Sequence, residues 1–318
     1  FGSSRAGSRG VMMAQARAPA RFPALLGSVL GQAVAADVLG AGGAKDSAHF
    51  VGQRVDAGVP SDSDHNAILF SLGEAGQEPT RLLAWNILCQ YGYNEQWGYP
   101  FDGFNRHFEA EGDYLARLKR TALEVLRLVE AHQPHAVLLQ ECAEPGDFGH
   151  GFIAEQLQGL GPLGYRLLQQ GEFLTAVLGA SARAVELPPL RRQAGKLHAV
   201  HSPELNSVIL NAHLGWDRMG SEAAAQTRQD IEAVLAHLRE LFPGAQVLLA
   251  GDTNRVPAAA PRTDPDAETI EQLADGLGQL CPPPGPTNVR WSGAERGSEL
   301  TYADFALRCP AACAAAAA

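Results

Sequence analysis

The 318-residue sequence predicts an α/β domain. Two observations carry that expectation. Short apolar runs bounded by turn residues recur along the chain and suit buried strands. These runs alternate with two long stretches whose apolar residues repeat at helical spacing, as happens when helices cover a sheet. The sequence has no internal repeat.

Composition sets the outer bounds. With 46% hydrophobic residues the chain can bury a substantial core, in one large domain or two small ones. Its net charge of −10, from 35 acidic and 25 basic residues, argues against a broad basic face that holds duplex nucleic acid. It leaves room for an enzyme that neutralises phosphate locally with a metal ion. Five cysteines, an odd and sparse set, argue against a disulfide framework, and Cys89 and Cys142 read as small core residues. No apolar run approaches the roughly 18 residues that cross a membrane. Residues 14–36 are Ala-rich, with Arg17 and Arg21 and no acid before Asp37, which leaves organellar targeting open, although Pro23, Gly27 and Gly31 interrupt the apolar part. The chain begins at Phe1, so it is open to being a fragment. The expected organisation is a flexible lead or targeting remnant at 1–22, one domain at 23–310 and a low-complexity tail at 311–318. A soluble, intracellular monomer is the favoured setting.

Taken in order, residues 23–40 suit a short helix and 49–55 a strand. AILFSL at 67–72 and RLLAWNIL at 81–88 follow as strands, joined by GEAGQEPT. Residues 90–112 form a long aromatic- and Gly-containing insertion, and loops of that length are usually functional or mobile. From Asp113, a candidate N-cap, to His132 the spacing of Leu115, Leu118, Ala122, Val125 and Val129 predicts a helix, which Pro134 ends. AVLLQ at 136–140 is a buried strand that delivers Glu141. A short helix at 152–160 and a strand at 173–178 come next. The runs 196–202 and 207–214 make a hairpin about Pro203-Glu204. Ser221 caps a helix running to Phe242, with Ile231, Val234, Leu238 and Leu241 inward, and Pro243-Gly244 stops it. VLLA at 247–250 is a strand, Gly251 turns the chain, and Asp252 and Asn254 follow. A Pro- and Asp-rich loop at 256–268 leads to a helix at 269–280, and then TNVRW and LTYADFAL form the last strands.

Four apolar strands therefore finish on groups useful to phosphate chemistry: Asn86, Glu141, Asn211 with His213, and Asp252 with Asn254. A carboxylate at the end of an apolar strand is costly unless it is paired or meets a cation. Their coincidence at strand ends points to one shared cleft. As a set, Trp85-Asn86-Ile87-Leu88, Leu139-Gln140-Glu141, Asn211-Ala212-His213-Leu214 and Gly251-Asp252-Thr253-Asn254 resemble the motifs of the endonuclease/exonuclease/phosphatase superfamily, over roughly residues 81–307. That family includes pancreatic-type deoxyribonucleases, abasic-site endonucleases, neutral sphingomyelinases, inositol polyphosphate 5-phosphatases and messenger-RNA deadenylases. Tyr302-Ala303-Asp304-Phe305 resembles its penultimate strand. The resemblance implies a four-layer α/β sandwich of two packed mixed β-sheets flanked by helices.

The chain departs from the family pattern in one place. The family ends on Ser-Asp-His before a final strand, yet nothing from Leu307 to Ala318 contains a His. Ser63-Asp64-His65, followed by the strand AILFSL, stands ahead of the first family strand instead. A circular permutation accounts for this, because chain ends at surface loops are where permutation is tolerated. It predicts that strand 67–72 lies beside strand 81–87 and that His65 reaches Asp304.

The resemblance then implies roles. Glu141 is the main ligand of Mg²⁺ (or Mn²⁺), helped by Asn86 and Asp64. Asp252 orients or deprotonates the attacking water, and Asn254 holds that water or the phosphoryl group. His213 and His65 donate hydrogen bonds to non-bridging oxygens, and Asp304 fixes the His65 tautomer. Asn211, Trp97 and Tyr99 are the expected substrate contacts. The reading is a divalent-metal-dependent phosphoric ester hydrolase, with nucleic acid the favoured substrate because insertion aromatics can stack single-stranded bases. Sphingomyelinase-like and inositide phosphatase activities are the alternatives within the family, and a non-catalytic binding protein is the alternative outside it.

Overall fold

Aliphatic runs such as AVLLQ, buried at all five positions, need cover on both faces of a sheet, and the fold supplies it. The computed structural model describes residues 50–54, 65–73, 78–90, 110–259, 265–281, 288–291, 298–301 and 304–309, all within one unit, Gly42–Ala318. The expected helix at 23–40, most of the aromatic insertion, the CPPPGP turn after Cys281 and the tail lie outside these residues, as do Asp64, Trp97 and Tyr99.

The first sheet is built from β1 (Phe50–Arg54), β2 (Ile68–Leu72), β3 (Thr80–Asn86), β4 (Ala136–Gln140), β5 (Tyr165–Gln170) and β6 (Phe173–Leu178), in the order β1-β2-β3-β4-β6-β5. The second holds β7 (Arg183–Val185), β8 (Leu197–Ser202), β9 (Ser207–His213), β10 (Gln246–Asp252), β11 (Gln279–Cys281) and, after a separate hairpin, β14 (Asp304–Cys309), in the order β11-β14-β10-β9-β8-β7. The hairpin is β12 (Asn288–Trp291) with β13 (Ser298–Thr301). Both sheets are mixed, with β3–β4 and β9–β10 the parallel pairs.

Period-two alternation sorts each strand between two cores. Ile68, Phe70, Leu82, Ala84 and Leu138 of the first sheet meet Val200, Ile209, Leu248, Ala250 and Ala306 of the second. The alternate residues of the first sheet, Leu69, Leu83, Trp85 and Leu139, pack against α1 (Glu111–His132) through Leu118, Val125 and Val129. On the opposite side Leu210, Val247, Leu249 and Leu307 pack against α3 (Glu222–Leu241) through Ile231, Val234 and Leu238. The layers thus run helix, sheet, sheet, helix, as the resemblance implies.

Several local expectations are corrected. Helix α1 starts two residues earlier than Asp113, with Ala110 at the N-cap and no side-chain cap; Asp113 and Glu111 sit in the first turn, where they complement the helix dipole. Leu241, the last residue of α3, is 49% exposed rather than inward. The helix expected at 152–160 breaks into α2 (Phe152–Gln156) and a 3-10 segment, Gln158–Leu163, which contains Gly159, Gly161 and Pro162. Only Ile270–Ala274, α4, is helical in 269–280; Gly276 and Gly278 let the chain straighten into β11. Strands β5 and β7 had no clear sequence signal, being sheet edges with mixed burial. Gly251 does not turn the chain. It sits inside β10 at φ 135, where a Cβ would collide with the Ala212 carbonyl and approach Gln140 Nε2 to 2.9 Å.

Candidate active site

Parallel pairing sets the site. Strands running the same way end side by side, so Asn86 lies opposite Gln140 in the first sheet and His213 opposite Asp252 in the second. Strand β14 arrives antiparallel and sets its first residue, Asp304, opposite Asp252. His65 precedes β2, which pairs with β3, and its carbonyl accepts from Trp85 Nε1 at 3.0 Å.

Asp252 Oδ2 is the hub of the cluster. Asn86 Nδ2 donates to it at 3.1 Å, His65 Nε2 lies at 3.5 Å and His213 Nε2 at 3.8 Å. Its other oxygen accepts the Asn254 backbone N–H at 2.9 Å. His65 Nδ1 is 2.9 Å from Asp304 Oδ2, an intimate pair across 239 residues of sequence. Glu141 accepts from Asn86 Nδ2 at 2.8 Å and from the Cys89 backbone N–H at 3.1 Å. The Asn254 side chain is anchored by its Nδ2, which donates to the Leu214 carbonyl at 2.8 Å.

The turns that aim these groups are strained and then secured. Leu88 (φ 59), Glu141 (φ 60) and Asn254 (φ 51) adopt left-handed backbone without being glycine, at a cost on the order of 1 kcal/mol or more each. Buried Arg117 donates to the Ile87 and Leu88 carbonyls, both at 2.8 Å, and holds the turn after β3. The Cys142 N–H donates to the Glu172 carbonyl at 2.8 Å and holds the turn after β4.

Charge in the cleft is tuned by neighbours. Burial pushes Glu141 up, but His213, Asn86 and the Cys89 N–H outweigh it and leave the carboxyl below its usual range. Burial acts against the His213 cation, yet Glu172, Asp252 and Glu141 overcome it and raise His213 to about 9. Burial dominates at Asp252, which stays above the usual carboxylate range despite His65 and His213.

Of the expected site residues, His65, Asn86, Glu141, His213, Asp252, Asn254 and Asp304 are brought together. Asn211 is not at the cleft surface. It is fully buried between the sheets, where its Oδ1 accepts from Gln140 at 2.6 Å and its Nδ2 donates to the Leu139 carbonyl and Thr175 Oγ1, both at 3.1 Å. Its amide is spent in crosslinking the two sheets, which removes it as a substrate contact. Asn86 also differs from expectation. Its Nδ2 faces the carboxylates, while its Oδ1 accepts the Leu88 N–H at 3.0 Å. Glu172 escaped the sequence reading. Its Oε1 lies 3.1 Å from His213 Nδ1 and accepts from Lys196 Nζ at 2.7 Å. It sits in the turn just before β6 rather than at the end of an apolar strand, so strand-end reasoning passed over it.

The donor set fits a hard divalent cation. Glu141 and Asp252 offer carboxylate oxygens that converge on one neutral amide nitrogen, and Glu172 and Asp304 add further acidic charge around them. The ligand atoms of His65, Asp252 and Asp304 also lie within 4.8 Å of one another. There His65 and Asp304 already bond to each other, which leaves Glu141 the better anchor.

No family model matches the chain. No curated protein matches it either. Among solved structures it is similar to a humanized TDP2 from D. rerio, at 16% identity over 73% of this chain and 83% of that one, TM-score 0.39. It is similar to the 3' phosphatase NExo from Neisseria, solved with a product DNA hairpin, at 19% identity over 61% and 83%, TM-score 0.41. An AP endonuclease from Archaeoglobus fulgidus follows at 15% identity over 59% and 81%, TM-score 0.39. At these identities and scores the likeness says nothing about activity.

Proposed function

We propose that the chain is a divalent-metal-dependent phosphoric ester hydrolase of the endonuclease/exonuclease/phosphatase kind, acting on nucleic acid and best on single strands. The observation that carries this reading is the meeting of Asn86, Glu141, His213, Asp252 and the His65–Asp304 pair at the ends of strands from both sheets. When bound, Mg²⁺ (or Mn²⁺) neutralises phosphoryl oxygens, and Glu141 would hold it, with Asn86 fixing the orientation of that carboxylate. Asp252, kept basic by burial, takes the proton of the attacking water. Asn254, anchored through Leu214, positions that water. His213 meets the non-bridging oxygens as a cation, its charge retained by Glu172. His65 donates from Nε2 while Asp304 holds Nδ1–H, as carboxylate–histidine pairs do.

Circular permutation is part of the proposal. The pairing of β2 with β3 and the His65–Asp304 contact support it. The test is to move the segment 50–73 behind residue 309 on a flexible linker. The rearranged chain should fold and hydrolyse the same ester, whereas an unfolded product would count against the permutation.

Substrate choice is tested by a panel of single-stranded RNA, single-stranded DNA, duplex DNA, sphingomyelin vesicles and inositol phosphates. Preference for single strands is expected. Preference for vesicles or an inositide would overturn the nucleic-acid reading, and no turnover on any of them would favour a binding protein.

A further inference from the structure

Strand β9 does not end in a loose loop. After His213 the chain passes through Leu214, Gly215, Trp216 and Asp217 to Met219, and nearly every step is held from behind. The Leu214 carbonyl takes Asn254 Nδ2, and the Gly215 carbonyl takes Arg255 Nη1 at 2.7 Å. The Trp216 carbonyl takes Arg192 Nη2 at 3.2 Å. Asp217, 1% exposed, accepts from Arg255 Nη2 at 2.7 Å, from Thr227 Oγ1 at 2.6 Å and from Arg192. Arg255 is itself 1% exposed and paired with Glu268 at 2.8 Å. Beyond it the Met219 N–H donates to the Asp266 carbonyl at 2.5 Å.

On this fixed strap Trp216 is 43% exposed and Met219 47% exposed. The Arg218 guanidinium lies over the Trp216 ring, 5.7 Å from its centre. Tryptophan and arginine are enriched among the residues that carry binding energy at contact surfaces. Only Leu214 and Gly215 lie between His213 and Trp216, so their Cα atoms are at most about 11 Å apart.

We infer that Trp216 is a stacking platform for one unpaired nucleobase of the substrate strand, next to the phosphate being cleaved. Arg218 covers one face of the indole, and the base takes the other. Inositol phosphates offer no aromatic face to such a surface, and a duplex keeps its bases stacked inside, so the strap selects single-stranded nucleic acid. This inference rests on the hydrolase reading above and deepens it.

The test is steady-state kinetics of the full chain on a short single-stranded oligonucleotide, and on the same strand with its bases removed. Base–aromatic stacking predicts that Trp216→Ala raises KM on the normal strand about tenfold or more, with kcat little altered. Trp216→Phe should recover most of that loss, and on the abasic strand wild type and Trp216→Ala should share one KM. An unchanged KM on the normal strand, or an equal rise on the abasic strand, would overturn the platform while leaving the hydrolase in place. A wild-type chain that hydrolyses only vesicle lipid or inositides would overturn the nucleic-acid reading and the platform with it.

Discussion

His213 and His198 lie on neighbouring strands, β9 and β8, and burial disfavours the cation at both. At His213 the carboxylates of Glu172, Asp252 and Glu141 reverse the effect and raise the ring to about 9. At His198 nothing does. Its Nδ1 meets Thr175 Oγ1 at 3.0 Å, its Nε2 meets no partner among the described residues, and burial lowers it to about 4. Charge at a buried histidine is therefore decided by the carboxylates that surround it. Here those carboxylates stand just after β4, just before β6 and at the end of β10, so neighbouring strands carry one neutral and one cationic histidine.

The first way to break this comparison is to remove the hub. Asp252→Asn should lower turnover of a phosphodiester about a thousandfold, as loss of a general base does, with the melting temperature little lowered. Retained turnover would detach the cluster from catalysis.

The second acts on His198 and reads stability against pH. Its folded value of about 4 lies below the ordinary 6.5, so between those pH values the unfolded chain binds a proton that the native state refuses. The stability it protects is fully present above pH 6.5 and falls as pH drops toward 4, by roughly 3 kcal/mol. His198→Leu should flatten that part of the urea-melt profile and leave turnover near the wild-type level. An unchanged slope would mean that His198 is not the buried neutral group.

His65→Ala should cost about a hundredfold in turnover, since it removes a transition-state donor, and should lower the denaturant midpoint because it leaves the buried Asp304 carboxylate without its partner. The smallest effect falls on Glu172→Gln. It keeps the shape but removes the charge beside His213, so the ring should titrate lower by NMR and turnover should fall roughly tenfold. If the His213 titration does not move, Glu172 is structural support alone.

Much of this was readable from residues. AVLLQ and FLTAVL match β4 and β6 residue for residue, because strands covered on both faces leave unbroken apolar runs. The convergence of Asn86, Glu141, His213 and Asp252 followed from polar groups placed at the ends of such runs. Glu172 was illegible because its partner, His213, lies far along the chain and only the packing of the two sheets brings them together. Asn211 was misread for a related reason. One residue pair separates it from the cleft, and sequence cannot say that its amide is turned between the sheets toward Gln140 and Thr175. Trp216 gave no periodic signal, and the ion pair next to it, Arg255–Asp217, joins residues 38 positions apart.

The most direct measurement is a Mg²⁺ titration of bis-nitrophenyl phosphate hydrolysis by the wild-type chain and by Glu141→Gln. The account predicts wild-type turnover that saturates with metal and vanishes in EDTA, and a variant that needs at least about tenfold more metal and stays slower at saturation. Equal turnover with and without chelator, or metal curves that superimpose for the two proteins, would contradict it.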